Sequence, residues 1–292
     1  MSSSILLFGA TSLLGFHLGT MFPEVVLPFI SPGNTAKAVR RWPVLQLHDS
    51  VWIADVFQRT QPEALVYCHA VCDVAKCEAS PGWAYEMNVG QLGRVLDVLP
   101  AHTRFVYVSS DHVFGGDGVY DEHCEPAPIS VYGRTRVEAE RLVLKRADSL
   151  VLRTGLGIGV SPDGRTGHLD WLQYRAKRKL PITIIEDEYR STVWQCDLAM
   201  RVMAFAQAKE TGLRHMTATR AISRVALANF LIRQFHIPAT FTVETRHQQP
   251  HPHLGRVELA TVFHDEASKP LASVLDDESS RRSCVSNGLF DN

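Results

Sequence analysis

With 292 residues, 45% hydrophobic and 21% charged, the chain has the composition of a globular protein able to bury a substantial core. Thirty Lys and Arg against 31 Asp and Glu leave a formal net charge of -1, so nothing global draws it to nucleic acid or to an anionic membrane. No apolar run approaches the roughly 18–20 residues that span a bilayer. The Met-Ser-Ser-Ser start has neither a basic segment nor a cleavage pattern, so a cytoplasmic protein is expected.

The first half alternates apolar runs with helical stretches. Ser4–Phe8 reads as a buried strand and Leu13–Phe22 as a helix. Val25–Ile30 is a second strand, with Pro28 favouring an edge or a bulge, and Pro43–Leu47 is a short third. Helix is expected over Asp49–Arg59, strand over Ala64–Cys68, helix over Pro81–Leu99 and strand over Arg104–Val108 ending at Ser109-Ser110-Asp111. Tyr132–Arg146 is helical and Leu150–Arg153 one more strand. Strands apolar throughout and separated by helices indicate a parallel sheet covered on both faces, the α/β doubly wound Rossmann type.

Beyond about residue 155 glycines mark a loop-rich region. Helices are expected over Leu169–Lys179, over Leu198–Lys209 with Asp197 as N-cap, and over Arg224–Phe235, and a strand over Pro181–Glu186. The expected organisation is a dinucleotide-binding domain over 1–155, to which 190–215 returns, a smaller C-terminal substrate-binding lobe over 156–275 and a mobile tail over 276–292. His247, His251 and His253 fall in a Pro-containing stretch that reads as an exposed loop. Cys68, Cys72 and Cys77 lack the second cysteine pair of the usual metal spacings. They read as structural thiols, and no metal is expected.

The turn Gly9-Ala10-Thr11-Ser12-Leu13-Leu14-Gly15 sits directly after the first strand and opens a helix. That is where a dinucleotide fingerprint must sit, because the helix N-terminus supplies N–H donors and a positive dipole to a pyrophosphate. Ser12 replaces the usual middle glycine. The second strand ends Ile30-Ser31-Pro32-Gly33 without the acid that would bind a ribose 2′-hydroxyl, and Lys37, Arg40 and Arg41 follow, which favours NADP over NAD. Tyr132 and Arg136 lie four apart at a helix start and share one face. With Ser110 at a strand end they can form a carbonyl-reduction site: serine donates to the oxygen, tyrosine delivers a proton, and the cation lowers the phenol pKa.

In motif order the chain resembles the extended short-chain dehydrogenase/reductases, and within them the dTDP-4-dehydrorhamnose reductase group, which includes the regulatory beta subunit of methionine adenosyltransferase. The resemblance covers about residues 4–235. It rests on Ser109–Gly116, with His112 and Gly115 as departures, on Tyr132–Arg136, Cys68-His69-Ala70, Val71–Glu78, Asn88, Arg153-Thr154 and Val193–Ala199. It implies Ser110, Tyr132 and Arg136 as the catalytic set, Arg136 standing where the family has lysine. It implies cofactor contacts from Gly9, Thr11, Ser12, Leu13, Leu14, Gly15, Ser31, Asp49, Cys68, His69, Ala70, Asn88, Ser109, Tyr132, Arg136 and Thr154. Substrate contacts are implied at Val71, Asp111, His112 and Arg190. Asp73, Lys76 and Glu78 read instead as a solvated helix turn. The implied function is NAD(P)H-dependent reduction of a nucleotide-activated keto-sugar. The alternative is a non-catalytic NADP-binding regulatory subunit of the same fold. A homodimer or a partner-enzyme complex is the assembly left open.

Overall fold

A computed structural model describes residues 5–276. The expected tail over 276–292 therefore lies outside the described residues from 277 onward. In chain order the strands are β1 (Ile5–Phe8), β2 (Val26–Phe29), β3 (Ala64–Tyr67), β4 (Arg104–Ser110), β5 (Gly118–Tyr120), β6 (Ser149–Thr154), β7 (Leu156–Ile158), β8 (Thr183–Ile185), β9 (Tyr189–Trp194), β10 (Gly212–Met216), β11 (Ala221–Ser223), β12 (Thr242–Glu244) and β13 (Arg256–Leu259). The α-helices are α1 (Leu13–Met21), α2 (Ser50–Thr60), α3 (Val74–Ala79), α4 (Pro81–Tyr85), α5 (Gln91–Val98), α6 (Val131–Val143), α7 (His168–Lys177), α8 (Gln195–Gln207) and α9 (Arg224–Gln234).

Six strands form one parallel sheet in the order β10-β6-β4-β3-β1-β2. The alternation of side chains along each strand feeds two cores. Leu6, Phe8, Leu65, Tyr67, Phe105 and Tyr107 pack on one face. Ile5, Leu7, Val66, Val106, Leu150 and Leu152 pack on the other. Both sets are buried, which is why these strands read as unbroken apolar runs. Pro28 lies on β2, an edge strand, where a missing N–H sacrifices no ladder bond. The expected third strand over Pro43–Leu47 is reduced to a single parallel bridge between Val44 and Ile30.

The order reverses between β1 and β3: the chain moves outward to β2, then returns to the other side of β1. A crevice at the carboxyl ends of those two strands is the usual consequence. The Pro81–Leu99 stretch is helical but interrupted by a π-helical turn over Glu86–Gly90. α8 packs on α1, and β10 closes the large sheet against β6, so the chain from Gln195 to Met216 belongs to the first layer. Asp197 does not cap α8. Trp194 holds the N-cap position and Asp197 sits in the first turn, where its charge suits the helix dipole. A second sheet, β11-β9-β13-β5 with β7 on β9, puts Leu156, Gly157 and Arg190 on the other side of the crevice, and β12 pairs with β8. Among the described residues no helix is long and apolar enough to cross a membrane.

Candidate active site

A cavity of about 700 Å3 opens at the carboxyl ends of β1, β3, β4 and β6. Its floor begins at the turn after β1. Gly9 has φ +92°, and a Cβ there would stand 2.3 Å from the backbone nitrogen of His69. Only glycine lets the β1 and β3 ends approach so closely. A Cβ on Gly15 would meet the Gly9 carbonyl oxygen at 2.3 Å, so Gly15 serves packing of α1 rather than the cavity wall. Ser12 needs no glycine conformation: its φ is −66°, and its hydroxyl oxygen caps α1 by accepting from Gly15 N at 3.0 Å. That bond uses a lone pair and leaves the Ser12 O–H free to donate. The first-turn N–H groups of Leu13 and Leu14 have no carbonyl partner within the helix. Thr11, Ser12, Leu13 and Leu14 all line the cavity.

At the end of β2 the site carries a neutral relay instead of an acid. Thr11 Oγ1 donates to Ser31 Oγ at 2.9 Å, Ser31 Oγ lies 3.2 Å from His69 Nδ1, and His69 Nε2 lies 2.9 Å from Gln91 Oε1. Burial holds the His69 imidazole below its ordinary pKa, and the nearby Arg136 charge adds to that. The ring is thus neutral, with Nε2–H donating to Gln91 and Nδ1 accepting from Ser31. Lys37, Arg40 and Arg41 are exposed beyond Ser31.

The catalytic trio expected from the sequence comes together on the opposite wall. Ser110 ends β4, and Tyr132 and Arg136 face it from the first two turns of α6. All three line the cavity. The Ser110 side chain lies close enough to the Tyr132 phenol to favour its ionised form. Burial pushes the phenol pKa up, and the Arg136 charge, more than the nearby Ser110, opposes that rise. The Arg136 guanidinium lies 5.9 Å from the Tyr132 ring centroid and 4.6 Å from that of Tyr107. Its Nη2 donates to the Val108 carbonyl, and its Nε is buried with no partner.

α6 is fixed from three sides. Ser130 caps it by accepting from Gly133 N at 3.0 Å. Glu78 Oε1 accepts from Val131 N at 2.5 Å, so Glu78 is a fastener of α6 and not a solvated turn residue. Asp73 does cap α3, accepting from Lys76 N. Asn88, on the π-helical turn, accepts from Val71 N at 2.8 Å and donates to Thr135 Oγ1 at 2.9 Å. It ties the Val71 loop to the helix that carries Tyr132. Neither Asn88 nor Val71 forms the cavity wall. Beneath, Glu140 accepts from Ser109 Oγ at 2.5 Å and pairs with Arg153 at 2.8 Å. Thr154 Oγ1 donates to the Ser109 carbonyl at 3.2 Å.

Asp49 belongs elsewhere. Its carboxylate caps α2, accepting from Val51 N at 2.9 Å and Trp52 N at 3.1 Å, and it does not line the cavity. Ser31, Cys68, His69, Ala70, Ser109 and Thr154 do. Burial pushes the Cys68 thiol up to about 12, with the Arg136 charge opposing, so it remains a packed thiol. Cys68, Cys72, Cys77 and Cys124 are free thiols.

The far end of the cavity holds a buried ionic cluster that the sequence showed only in part. Arg190 does not offer its guanidinium to an incoming anion. Its Nε donates to Asp111 Oδ2 at 2.5 Å, its Nη2 to Asp111 Oδ1, and its Nη1 to Glu188 Oε1 at 3.2 Å. Asp111 is fully buried behind the wall. Arg224 bonds Glu188 at 3.0 Å and the Nδ1 of His168 at 3.0 Å, and His253 Nδ1 lies 3.3 Å from Glu188 Oε2. Burial alone would raise the Glu188 pKa, but Arg224, the His253 bond and Arg190 outweigh it and hold the carboxyl well below its usual range. Burial, reinforced by Arg224, drives His168 well below its ordinary value. His251 and His253 therefore line the cavity instead of standing in an exposed loop. Glu188, Arg224 and His168 carried no motif that could have announced them. Their pairing depends on residues 36 and 56 positions apart.

A parallel doubly wound sheet, a glycine turn at its reversal point and a Ser–Tyr–Arg trio at the strand ends define an extended short-chain dehydrogenase/reductase architecture. The chain belongs to the RmlD substrate binding domain family, whose profile matches residues 3–287. It is 25% identical over 238 residues to the dTDP-4-keto-6-deoxy-D-glucose reductase of Streptomyces niveus, covering 80% of this chain and 79% of that protein. It is 31% identical over 146 residues to the methionine adenosyltransferase 2 subunit beta of Rattus norvegicus, covering 49% of this chain and 43% of that one. The chain thus matches less than half the length of that subunit. The dTDP-4-dehydrorhamnose reductase of Bacillus anthracis, solved in complex with NADP, superposes with a TM-score of 0.78 at 21% identity, over 94% of this chain and 96% of that one.

Proposed function

We propose that the protein is an NADP(H)-linked reductase acting on the keto group of a nucleotide-activated sugar. The observation that carries this reading is the convergence of Ser110, Tyr132 and Arg136 on the wall of the same cavity that Gly9, Thr11, Ser12, Leu13 and Leu14 line. The residues fit a dinucleotide. Gly9, Thr11, Ser12, Leu13 and Leu14 line the cavity, the first-turn N–H groups of α1 have no carbonyl partner within the helix, and the buried Arg136 Nε has no protein partner. When bound, the reduced nicotinamide supplies hydride to the carbonyl carbon.

Leu13 and Leu14 N–H and the Ser12 hydroxyl would hold the pyrophosphate, and Ser31 with Lys37, Arg40 and Arg41 would accept a 2′-phosphate where an acid would repel it. Tyr132 gives its phenolic proton to the carbonyl oxygen, and Arg136 stabilises the phenolate that remains. The ionic cluster around Glu188 shapes the sugar end. The 25% identity to a keto-sugar nucleotide reductase over four fifths of both chains supports the substrate class.

A second reading, a cofactor-binding regulatory subunit, is supported by the 31% identity to a methionine adenosyltransferase subunit and by arginine at position 136. Oxidation of NADPH on mixing with dTDP-4-keto-6-deoxyglucose separates the two. Turnover that Tyr132→Phe abolishes supports the reductase. Tight NADPH binding without turnover on a panel of keto-sugars supports the subunit.

A further inference from the structure

Ser110 has its hydroxyl hydrogen engaged. Ser110 Oγ donates to Asp111 Oδ1 at 3.1 Å and accepts from His112 N at 3.3 Å. Asp111 is clamped by Nε and Nη2 of Arg190, so this acceptor does not turn away. A carbonyl oxygen seated beside Tyr132 therefore meets a serine whose proton already points at a carboxylate. The group next in line is His112. Its ring lies edge-on to Tyr132 with centroids 5.2 Å apart, and it lines the cavity. Its Nδ1 is buried with no partner, while Nε2 has no protein partner and is not shut away from the cavity.

The two tautomers differ in cost. A proton on Nδ1 would bury an unsatisfied donor, which folded proteins almost never tolerate. A proton on Nε2 leaves Nδ1 as an unfilled acceptor and presents an N–H to the cavity. The charge state is set by what faces the ring: Arg190 and His253 disfavour a second positive charge, and Asp111 and Glu188 favour one. Burial is larger than any of these and lowers the pKa to about 4, so the ring stays neutral at physiological pH.

We propose that His112 is a further catalytic residue: a neutral Nε2–H donor that, beside the Tyr132 hydroxyl, bonds the substrate's carbonyl oxygen as negative charge develops on it. The assignment rests on the reductase reading and adds a second donor to it. No proton leaves the ring. The N–H bond persists, and its dipole strengthens its interaction with the oxygen as charge grows, as a preorganised donor does. A neutral imidazole whose proton cannot be lost to bulk base suits this role better than an imidazolium, which would transfer its proton.

Two measurements test it. In the free protein, 15N NMR of the His112 ring, assigned by difference against His112→Gln, should show the Nε2–H tautomer unchanged from pH 8 to 5. An Nδ1–H ring, or protonation centred near 6.5, overturns the proposal. In turnover, His112→Phe should lower kcat about 100-fold with little change in KM, and His112→Tyr or His112→Gln, each able to donate, should recover at least about tenfold of that loss. Equal kcat in the Phe variant, or no recovery in either donor variant while NADPH binding is intact, overturns it. If wild-type protein turns over no keto-sugar, the reductase reading fails separately. The ring is then tested by adding NADP and dTDP-glucose: a shifted Nε2–H resonance keeps the contact, and an unshifted one removes it.

Discussion

Gly9→Ala tests the close approach on which the cofactor floor depends, and Gly33→Ala is its internal control. Both glycines have positive φ, +92° and +75°. An L-residue in that region costs about 1–2 kcal/mol. They differ in what a methyl group would meet. At Gly33 nothing lies within 4 Å, whereas at Gly9 the His69 nitrogen, the His69 Cα and the Cys68 carbonyl carbon lie at 2.3, 2.5 and 2.6 Å. All three are backbone of the segment leaving β3, which cannot swing aside as a side chain could. Forced overpacking of this kind adds about 1–3 kcal/mol. Unfolding entropy of about 2.1 cal/mol/K per residue makes one kcal/mol worth about 1.6 °C for a chain of this size. Gly33→Ala should then lower Tm by about 2–3 °C and Gly9→Ala by about 3–8 °C. Gly9→Ala should also weaken NADPH binding at least about tenfold, because moving the β1 turn displaces the first-turn N–H groups. Differential scanning calorimetry with an NADPH fluorescence titration reads both. Equal Tm losses for the two variants, or unaltered NADPH affinity in Gly9→Ala, would refute the reasoning.

Glu140→Ala strands Arg153 in a buried site, so urea unfolding should show a loss of about 3–5 kcal/mol, and a loss below about 1 would mean that water reaches the guanidinium. His17 is buried against Val160 and its pKa is lowered to about 4, mainly by burial. Its neutral form is the native one, so stability is full above the unfolded value near 6.5 and falls as pH drops toward 4. Chemical denaturation across pH 7 to 4 should show a shallower acid loss in His17→Gln, and parallel curves would contradict this. Asn88→Ala removes the link between the Val71 loop and α6, so kcat should fall while NADPH affinity stays within about threefold. A variant with unchanged kcat would show that Tyr132 is held without that link.

The sheet was legible because β1, β3, β4 and β6 are buried on both faces and so leave unbroken apolar runs between helices. Of the three-residue strands, β8 falls within the strand expected over Pro181–Glu186, whereas β5, β7, β11 and β12 leave no such trace. Pairing decides them, not composition. Gly9, Ser110, Tyr132 and Arg136 could be read because each stands at a fixed offset from a strand end or helix start. Asp49 misled because one carboxylate before a helix reads alike as cap or ligand, and here the cap won. Arg190 was visible but its partners were not, since Asp111 is 79 residues away and Glu188 two. Glu78 and Glu188 act through distant elements, so only the folded chain reveals them.

The central claim is that Tyr132 supplies a proton within a cavity that also holds NADPH, and stopped-flow oxidation of enzyme-bound NADPH by dTDP-4-keto-6-deoxyglucose tests it most directly. The account predicts that Tyr132→Phe binds NADPH as tightly as the parent chain and reacts at least about 100-fold more slowly. Equal rates in the two proteins, or NADPH binding lost with the hydroxyl, would contradict it.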